Sequence, residues 1–175
     1  MRLFIAFELA DKPYFQDLQK RLATKAATLT MVKDYHLTLK FLGDIPEEAV
    51  TKIKVQLDKL DFEHFQISTN PLGVFPDQES PKVIWVGLQP EQKIAQLQKK
   101  VDDALKPLFP PEKAFKPHIT LARVKDIESA RDLNEKVAST KVIQKIFDVR
   151  SIKLVHSVLL PTGPIYETLF EKPLK

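Results

Sequence analysis

This chain of 175 residues contains no cysteine. That absence removes disulfides, thiolate metal sites and thiol nucleophiles at once, and it leads to the expectation of a cytoplasmic protein. Glycine is scarce, at four residues, and none lies in a Walker loop, a dinucleotide fingerprint or a serine nucleophile elbow. This argues against an ATP-dependent ligase. No apolar run approaches the roughly 20 residues of a membrane span. The opening stretch Met1 to Phe7 meets Glu8 too soon for a signal peptide. Neither sign of charge dominates: 27 basic against 23 acidic residues leave +4, a mild lean toward an anionic partner. The expectation is a soluble monomer with no membrane partner.

The remaining composition is that of an ordinary globular chain, 43% hydrophobic and 29% charged with 13 prolines. Its length suits one domain over residues 1–175 with a sizeable core. Within it, the sequence matches itself. His36-Leu37-Thr38-Leu39-Lys40-Phe41-Leu42-Gly43-Asp44-Ile45 aligns with His118-Ile119-Thr120-Leu121-Ala122-Arg123-Val124-Lys125-Asp126-Ile127, sharing His, Thr, Leu, Asp and Ile at an offset of 82. Phe65-Gln66-Ile67 falls on Phe147-Asp148-Val149 at the same offset, Leu18 to Leu22 on Leu97 to Val101 at 79, and Leu3 to Phe7 on Ile84 to Leu88 at 81. Matches in one order with small offset changes indicate an internal repeat, approximately 1–80 and 81–160, whose loops changed length.

Local patterns agree. Leu3 to Leu9 reads as a strand, followed by a helix capped by Asp11 with Phe15, Leu18 and Leu22 on one face. A strand from His36 to Leu42, a helix starting at Pro46 and a strand near Phe62 to Thr69 complete the first copy. The second has a strand Val83 to Leu88, a helix Glu91 to Leu105, a strand His118 to Val124, a helix Ile127 to Ala138 and a strand Val142 to Arg150. Strands near Ile152 to Leu160 and Tyr166 to Phe170 follow, joined at Thr162-Gly163-Pro164. The stretches Pro71 to Pro81 and Pro107 to Pro117 read as loops. Neither copy can bury a sheet alone, so the expected fold is α+β: duplicated β-α-β units with pseudo-two-fold symmetry, whose antiparallel sheets line a central cleft between two lobes.

Strand alternation puts His36, Thr38 and Lys40 on one face of the first strand, and His118, Thr120 and Ala122 on one face of the second. A lone His-x-Thr on an apolar strand is commonplace. Two, at matched places in a repeat, can meet across the pseudo-axis and form an acid–base pair with a hydroxyl beside each imidazole. Imidazole exchanges protons near neutral pH, and hydroxyls can steady the oxygens of a phosphodiester as charge gathers on them. His36 and His118 are thus the catalytic candidates, and Thr38 and Thr120 the phosphate-binding ones. A metal is not expected: two histidines without a nearby carboxylate make a poor ligand set, since Asp44 and Asp126 lie past the strand ends. His64 is expected to be exposed, His156 structural, and Trp85 in the core or between the lobes.

Arg2-Leu3-Phe4-Ile5-Ala6, His36 to Gly43, Val83 to Gly87, Phe115-Lys116-Pro117-His118 to Arg123 and Gly163-Pro164-Ile165-Tyr166 together resemble the RNA 2′,3′-cyclic phosphodiesterase family, also known as 2′-5′ RNA ligase-like, of the two-histidine phosphoesterase superfamily. The resemblance covers nearly the whole chain. It implies hydrolysis of a terminal 2′,3′-cyclic phosphate on RNA to a 2′-phosphomonoester, and in some members slow reversible 2′-5′ ligation; from the residues themselves no metal or other cofactor is expected. It implies that His36 is the proton donor to the leaving 3′ oxygen, His118 the base that activates water, and Thr38 and Thr120 the phosphate contacts. Phe41 and Arg123, five residues after each histidine, would contact RNA. Strict alternation points both away from the cleft, so that role requires a bulge; otherwise Phe41 is core and Arg123 plain surface. An RNA-binding module with little chemistry, or an enzyme for a small cyclic phosphate, would use the same groove.

Overall fold

A computed structural model describes residues 1–175 as nine strands and four helices. Strand β1 (Arg2–Glu8) buries every residue from Leu3 to Phe7, as a strand covered on both faces does. Asp11 accepts the Tyr14 amide at 3.1 Å and caps α1 (Lys12–Arg21), which sets Phe15 and Leu18 inward. Then come β2 (Ala27–Met31), β3 (His36–Asp44), a 3-10 turn at Glu47–Ala49, α2 (Val50–Asp58) and β4 (Phe65–Phe75). The second half runs β5 (Val83–Gln89), α3 (Glu91–Leu105), β6 (His118–Ile127), α4 (Ala130–Ser139), β7 (Ile146–Val149), β8 (Ser151–Leu160) and β9 (Gly163–Pro173).

The strands form two antiparallel sheets, ordered β3-β1-β8-β9 and β2-β6-β5-β4-β7. The order reveals an exchange. β8, late in the chain, lies beside β1, and β4, early in the chain, lies beside β5. Each half of the chain completes the other's sheet. The halves meet where β4 pairs with β7: Gln66 lies opposite Asp148 and bonds it at 3.1 Å, flanked by Phe65 opposite Val149 and Ile67 opposite Phe147. Gln66 and Asp148, 82 positions apart, thus pair on a local two-fold axis, with their repeat-related neighbours crossing on either side. A cluster of 37 buried residues drawn from both halves forms the core. On its other face the first sheet carries a small cluster, Phe4, Ala6 and Val155.

Several boundaries differ from the sequence reading. β2 is an additional edge strand on β6. β4 does not stop before Pro71: a bulge between Thr69 and Leu72 absorbs the proline, which has no N–H to give a ladder, and the strand resumes to Phe75. β6 extends to Ile127, and Ser129, accepting the Asp132 amide at 3.2 Å, delays α4 to Ala130. β7 begins only at Ile146, and β9 already at Gly163. Lys40 is the largest departure. It points away from the His36 face, is 3% exposed, and its ammonium bonds Asp102 Oδ1 at 2.6 Å and the Pro110 carbonyl at 2.7 Å.

Candidate active site

Both His-x-Thr strands alternate at first as their sequences direct. Leu37 and Leu39, like Ile119 and Leu121, are buried, while His36, Thr38, His118 and Thr120 stay partly exposed on the opposite face. Then each strand slips by one. On β3, Ala6 pairs with Thr38 but Ile5 pairs with Lys40, so Leu39 is an extra residue; on β6, Trp85 pairs with Thr120 but Ile84 with Ala122, so Leu121 is extra. These two bulges reverse the alternation. They send Lys40 and Ala122 into the core and turn Phe41, 50% exposed, and Arg123, also exposed, onto the faces of their histidines. Phe41 is therefore not a core residue. The Arg2 guanidinium lies 5.1 Å from its ring centroid, on the same face.

The sheets bring β3 and β6 into contact, and each imidazole rests in an aromatic cradle. His36 lies 5.0 Å from Phe4 and 5.2 Å from Tyr166, the tyrosine ring nearly perpendicular to it. His118 lies 4.9 Å from Phe75, again nearly perpendicular, and 6.1 Å from Trp85. Phe4 and Trp85 occupy matching places, since Leu3 opposite His156 corresponds to Ile84 opposite Val74. Trp85 is thus part of the site wall, partly exposed and leaning on Phe75 at 4.9 Å, where the sequence suggested core or interface. Tyr166 had no signal of its own in the sequence beyond its place in the Gly163-Pro164-Ile165-Tyr166 stretch. Strand pairing of β8 with β9 carries it to the cleft.

Burial holds both imidazoles below the ordinary histidine range, because a charged ring is poorly solvated there. At His36 the carboxylates of Glu8 and Asp34 pull the other way, while the charges of His118 and Arg123 push it further down. His36 thus feels groups of both strands. Glu8 and Asp34, with Phe4, Val155 and Tyr166, line a pocket of about 90 Å³ beside His36. Carboxylates do therefore stand next to the first motif, contrary to the sequence reading, although no three or more His, Asp or Glu side chains gather to hold an ion. At His118, Nδ1 is 2.6 Å from the Lys116 carbonyl, which can only accept. In its neutral form that ring therefore carries its proton on Nδ1 and its lone pair on Nε2. Burial also raises the Tyr166 hydroxyl above its usual range.

The other histidines lie apart. His64 is exposed, with Nδ1 2.7 Å from the Lys175 carbonyl. His156 lies 3.6 Å from Glu167 on the β8–β9 pair. No helix is long and apolar enough to cross a membrane.

Comparison with known proteins agrees with this architecture. The 2′-5′ RNA ligase superfamily matches residues 7–158. The RNA 2′,3′-cyclic phosphodiesterase of Archaeoglobus fulgidus is 35% identical, over 97% of this chain and 98% of that protein. The enzyme of that name from Methanocaldococcus jannaschii is 33% identical over 98% and 99%. Among solved structures, a Thermus thermophilus protein superposes with a TM-score of 0.75 at 26% identity, covering 99% of this chain and 97% of that one. Escherichia coli LigT in apo form gives 0.76 at 20% identity, over 99% and 96%, a likeness of fold. The chain belongs to the 2′-5′ RNA ligase superfamily, among relatives that bear the name RNA 2′,3′-cyclic phosphodiesterase.

Proposed function

We propose that this protein hydrolyses the 2′,3′-cyclic phosphate at the end of an RNA to a 2′-phosphomonoester, using His36 and His118 and no metal or other cofactor. The observation that carries the reading is the pair of matched cradles. Two imidazoles sit on contacting strands, each backed by an aromatic ring at a corresponding place and each followed by a threonine on the same face. The names of the relatives supply the substrate class.

The surroundings support unequal roles. His118, with Nδ1–H engaged by the Lys116 carbonyl, offers Nε2 as the base. It removes a proton from water as the water oxygen bonds to phosphorus. The bond from phosphorus to the 3′ oxygen breaks, and that oxygen takes a proton from His36, leaving the phosphate on the 2′ oxygen. His36 suits the donor role because Glu8 and Asp34 favour its charged form, and the anionic phosphate would add to them. Thr38 and Thr120 hydroxyls donate to the non-bridging oxygens. Arg123 and Phe41, turned to this face by the bulges, contact the phosphate and a base of the RNA. The protein acts as a cytoplasmic monomer.

The test is a short RNA ending in a 2′,3′-cyclic phosphate, incubated with excess EDTA. Turnover to the 2′-monoester is expected, with a loss of about 10²- to 10⁴-fold in His36→Ala and in His118→Ala. Binding without turnover would leave an RNA-binding module. Loss of activity in EDTA that Zn²⁺ or Mn²⁺ restores would refute the metal-free mechanism.

A further inference from the structure

Beneath each bulge lies a buried polar group that the chemistry above does not use. Gln19 sits on the apolar stripe of α1, between Leu18 and Leu22, and is only 6% exposed. A primary amide in that position must find partners or destabilise the fold. It finds three. Nε2 donates to the Leu121 carbonyl and to the Val32 carbonyl, both at 2.9 Å, and Oε1 accepts the Tyr35 hydroxyl at 2.8 Å. Leu121 is the extra residue of the β6 bulge, and its carbonyl also accepts the Val32 amide at 3.0 Å. Tyr35 directly precedes His36. One side chain therefore ties the bulge that turns Arg123 to the entry of the other histidine strand.

The repeat places Gln98 where Gln19 stands, at the offset of 79 that aligns the two helices. Gln98 is 7% exposed and donates to Asp102 Oδ2 at 2.8 Å, and Asp102 Oδ1 accepts Lys40 Nζ at 2.6 Å. Lys40 follows Leu39, the extra residue of the β3 bulge. The loop opposite closes the network: Asp102 Oδ2 accepts the Glu112 amide at 3.0 Å, and the Pro110 carbonyl accepts Lys40 Nζ at 2.7 Å. Residues 109–113 lie 82 positions on from β2, but Pro110 and Pro111 have no N–H with which to form an edge strand. The lysine does from its side chain what β2 does from its backbone. Burial raises the Asp102 carboxyl, but its bonds from Lys40, Gln98 and the Glu112 amide outweigh this and hold it below the usual range, so the carboxyl is ionised. Helix α1 packs on β6 and α3 on β3, each half underpinning the other's strand.

We infer that Gln19, and separately the Gln98–Asp102–Lys40 chain, are positioning residues that hold the β6 and β3 bulges and thereby aim Arg123 and Phe41 into the cleft. The inference rests on the proposed role of those two side chains as substrate contacts. It is specific: each strut acts through one of them.

The test is a set of double-mutant cycles on kcat/KM with the cyclic-phosphate RNA, with thermal unfolding recorded for every variant. Gln19→Met is expected to lower kcat/KM by about tenfold, and by less than about twofold when Arg123 is already alanine, because groups acting in series are not additive. Combined with Phe41→Leu, its effect should multiply in full. Lys40→Met should show the reverse pattern, coupled to Phe41→Leu and additive with Arg123→Ala. General loosening of the fold would give additive effects everywhere, tracking the loss in Tm. If Gln19→Met does not fold, Tyr35→Phe removes only the hydroxyl that braces Gln19 and should couple to Arg123→Ala in the same sense with a smaller loss. Additive effects in all cycles overturn the inference while leaving the hydrolase standing. Full activity in Arg123→Ala and Phe41→Leu overturns it by removing the substrate contacts on which it rests.

Discussion

Replacing Gly73 with alanine tests how tightly the His118 cradle is packed. Gly73 pairs with Trp85 across β4 and β5. A Cβ at residue 73 would stand 2.3 Å from Trp85 Cζ2 and 2.4 Å from Cη2, deep inside van der Waals contact. Carbon atoms settle about 3.5 to 4.0 Å apart, so the indole would have to move by more than about 1 Å. It is wedged against Phe75, 4.9 Å away, and His118, 6.1 Å away, so its displacement reaches the imidazole. Overpacking of this kind costs about 1 to 3 kcal/mol, or a fall in Tm of about 2 to 12 °C for a chain of this size. A reacting group misplaced by about 1 Å can lose about 10²-fold in rate. Gly73→Ala is therefore expected to lower kcat/KM on the cyclic-phosphate RNA by about 10- to 100-fold, although residue 73 touches no substrate. Trp85→Phe removes the far part of the indole, so the alanine should cost much less in that background. Wild-type rate and Tm in Gly73→Ala, or an equal cost in both backgrounds, would refute the reasoning.

The remaining expectations concern protons and buried charge. Because burial lowers both imidazoles, kcat/KM should trace a bell centred below about pH 6.5, the ordinary histidine value. Its acid limb falls as the base is protonated and its alkaline limb as the acid loses its proton, both limbs reporting the pair; a flat profile, or a bell centred well above pH 7, would contradict it. Tyr166→Ala opens the wall beside His36, so His36 should rise toward the ordinary value and carry the bell upward, whereas Tyr166→Phe keeps the ring and should leave the profile in place. Lys40→Met should destabilise the fold by about 3 to 5 kcal/mol in denaturant unfolding, because it leaves Asp102 buried without its cation. Lys40→Met with Asp102→Leu should recover part of that loss.

What could be read in the sequence was whatever its own periodicity encodes. The His-x-Thr strands, the helix caps at Asp11 and the repeat all follow from local pattern, and the antiparallel lobes follow from the repeat. Less local features escaped. Nothing in Leu39-Lys40-Phe41 marks a bulge, since all three suit a strand, and the slip is set by pairing with Ile5 and Ala6. That single missed residue put Lys40 on the wrong face and left Phe41 undecided. The stretch from Pro71 reads as a loop in sequence, while the bulge that lets β4 pass through it depends on pairing with β5. Of the two carboxylates near His36, Asp34 stands only two residues before it and was open to a local reading, whereas Glu8 was not. Glu8 is 28 residues away in sequence and becomes a neighbour only as the cross-strand partner of His36.

The exchange of strands explains why two similar halves belong to one chain. With β8 on β1 and β4 on β5, neither half owns a complete sheet, and each cradle draws on that exchange. Tyr166, from β9, reaches His36 only because β8 stands beside β1; Phe75, from β4, reaches His118 only because β4 stands beside β5. One chain also allows the halves to differ, and they differ in charge beside the two imidazoles. The offset of 81 carries Glu8 onto Gln89, and the offset of 82 carries Asp34 onto Lys116. The two carboxylates that favour a charged His36 thus have an amide and an ammonium as their counterparts. That lysine turns its side chain to Glu91 at 2.7 Å and gives only its carbonyl to His118. Two identical copies would leave the proton no preference between the imidazoles. The unequal charges at these positions break that equivalence, Glu8 and Asp34 acting on His36 against the burial that lowers it.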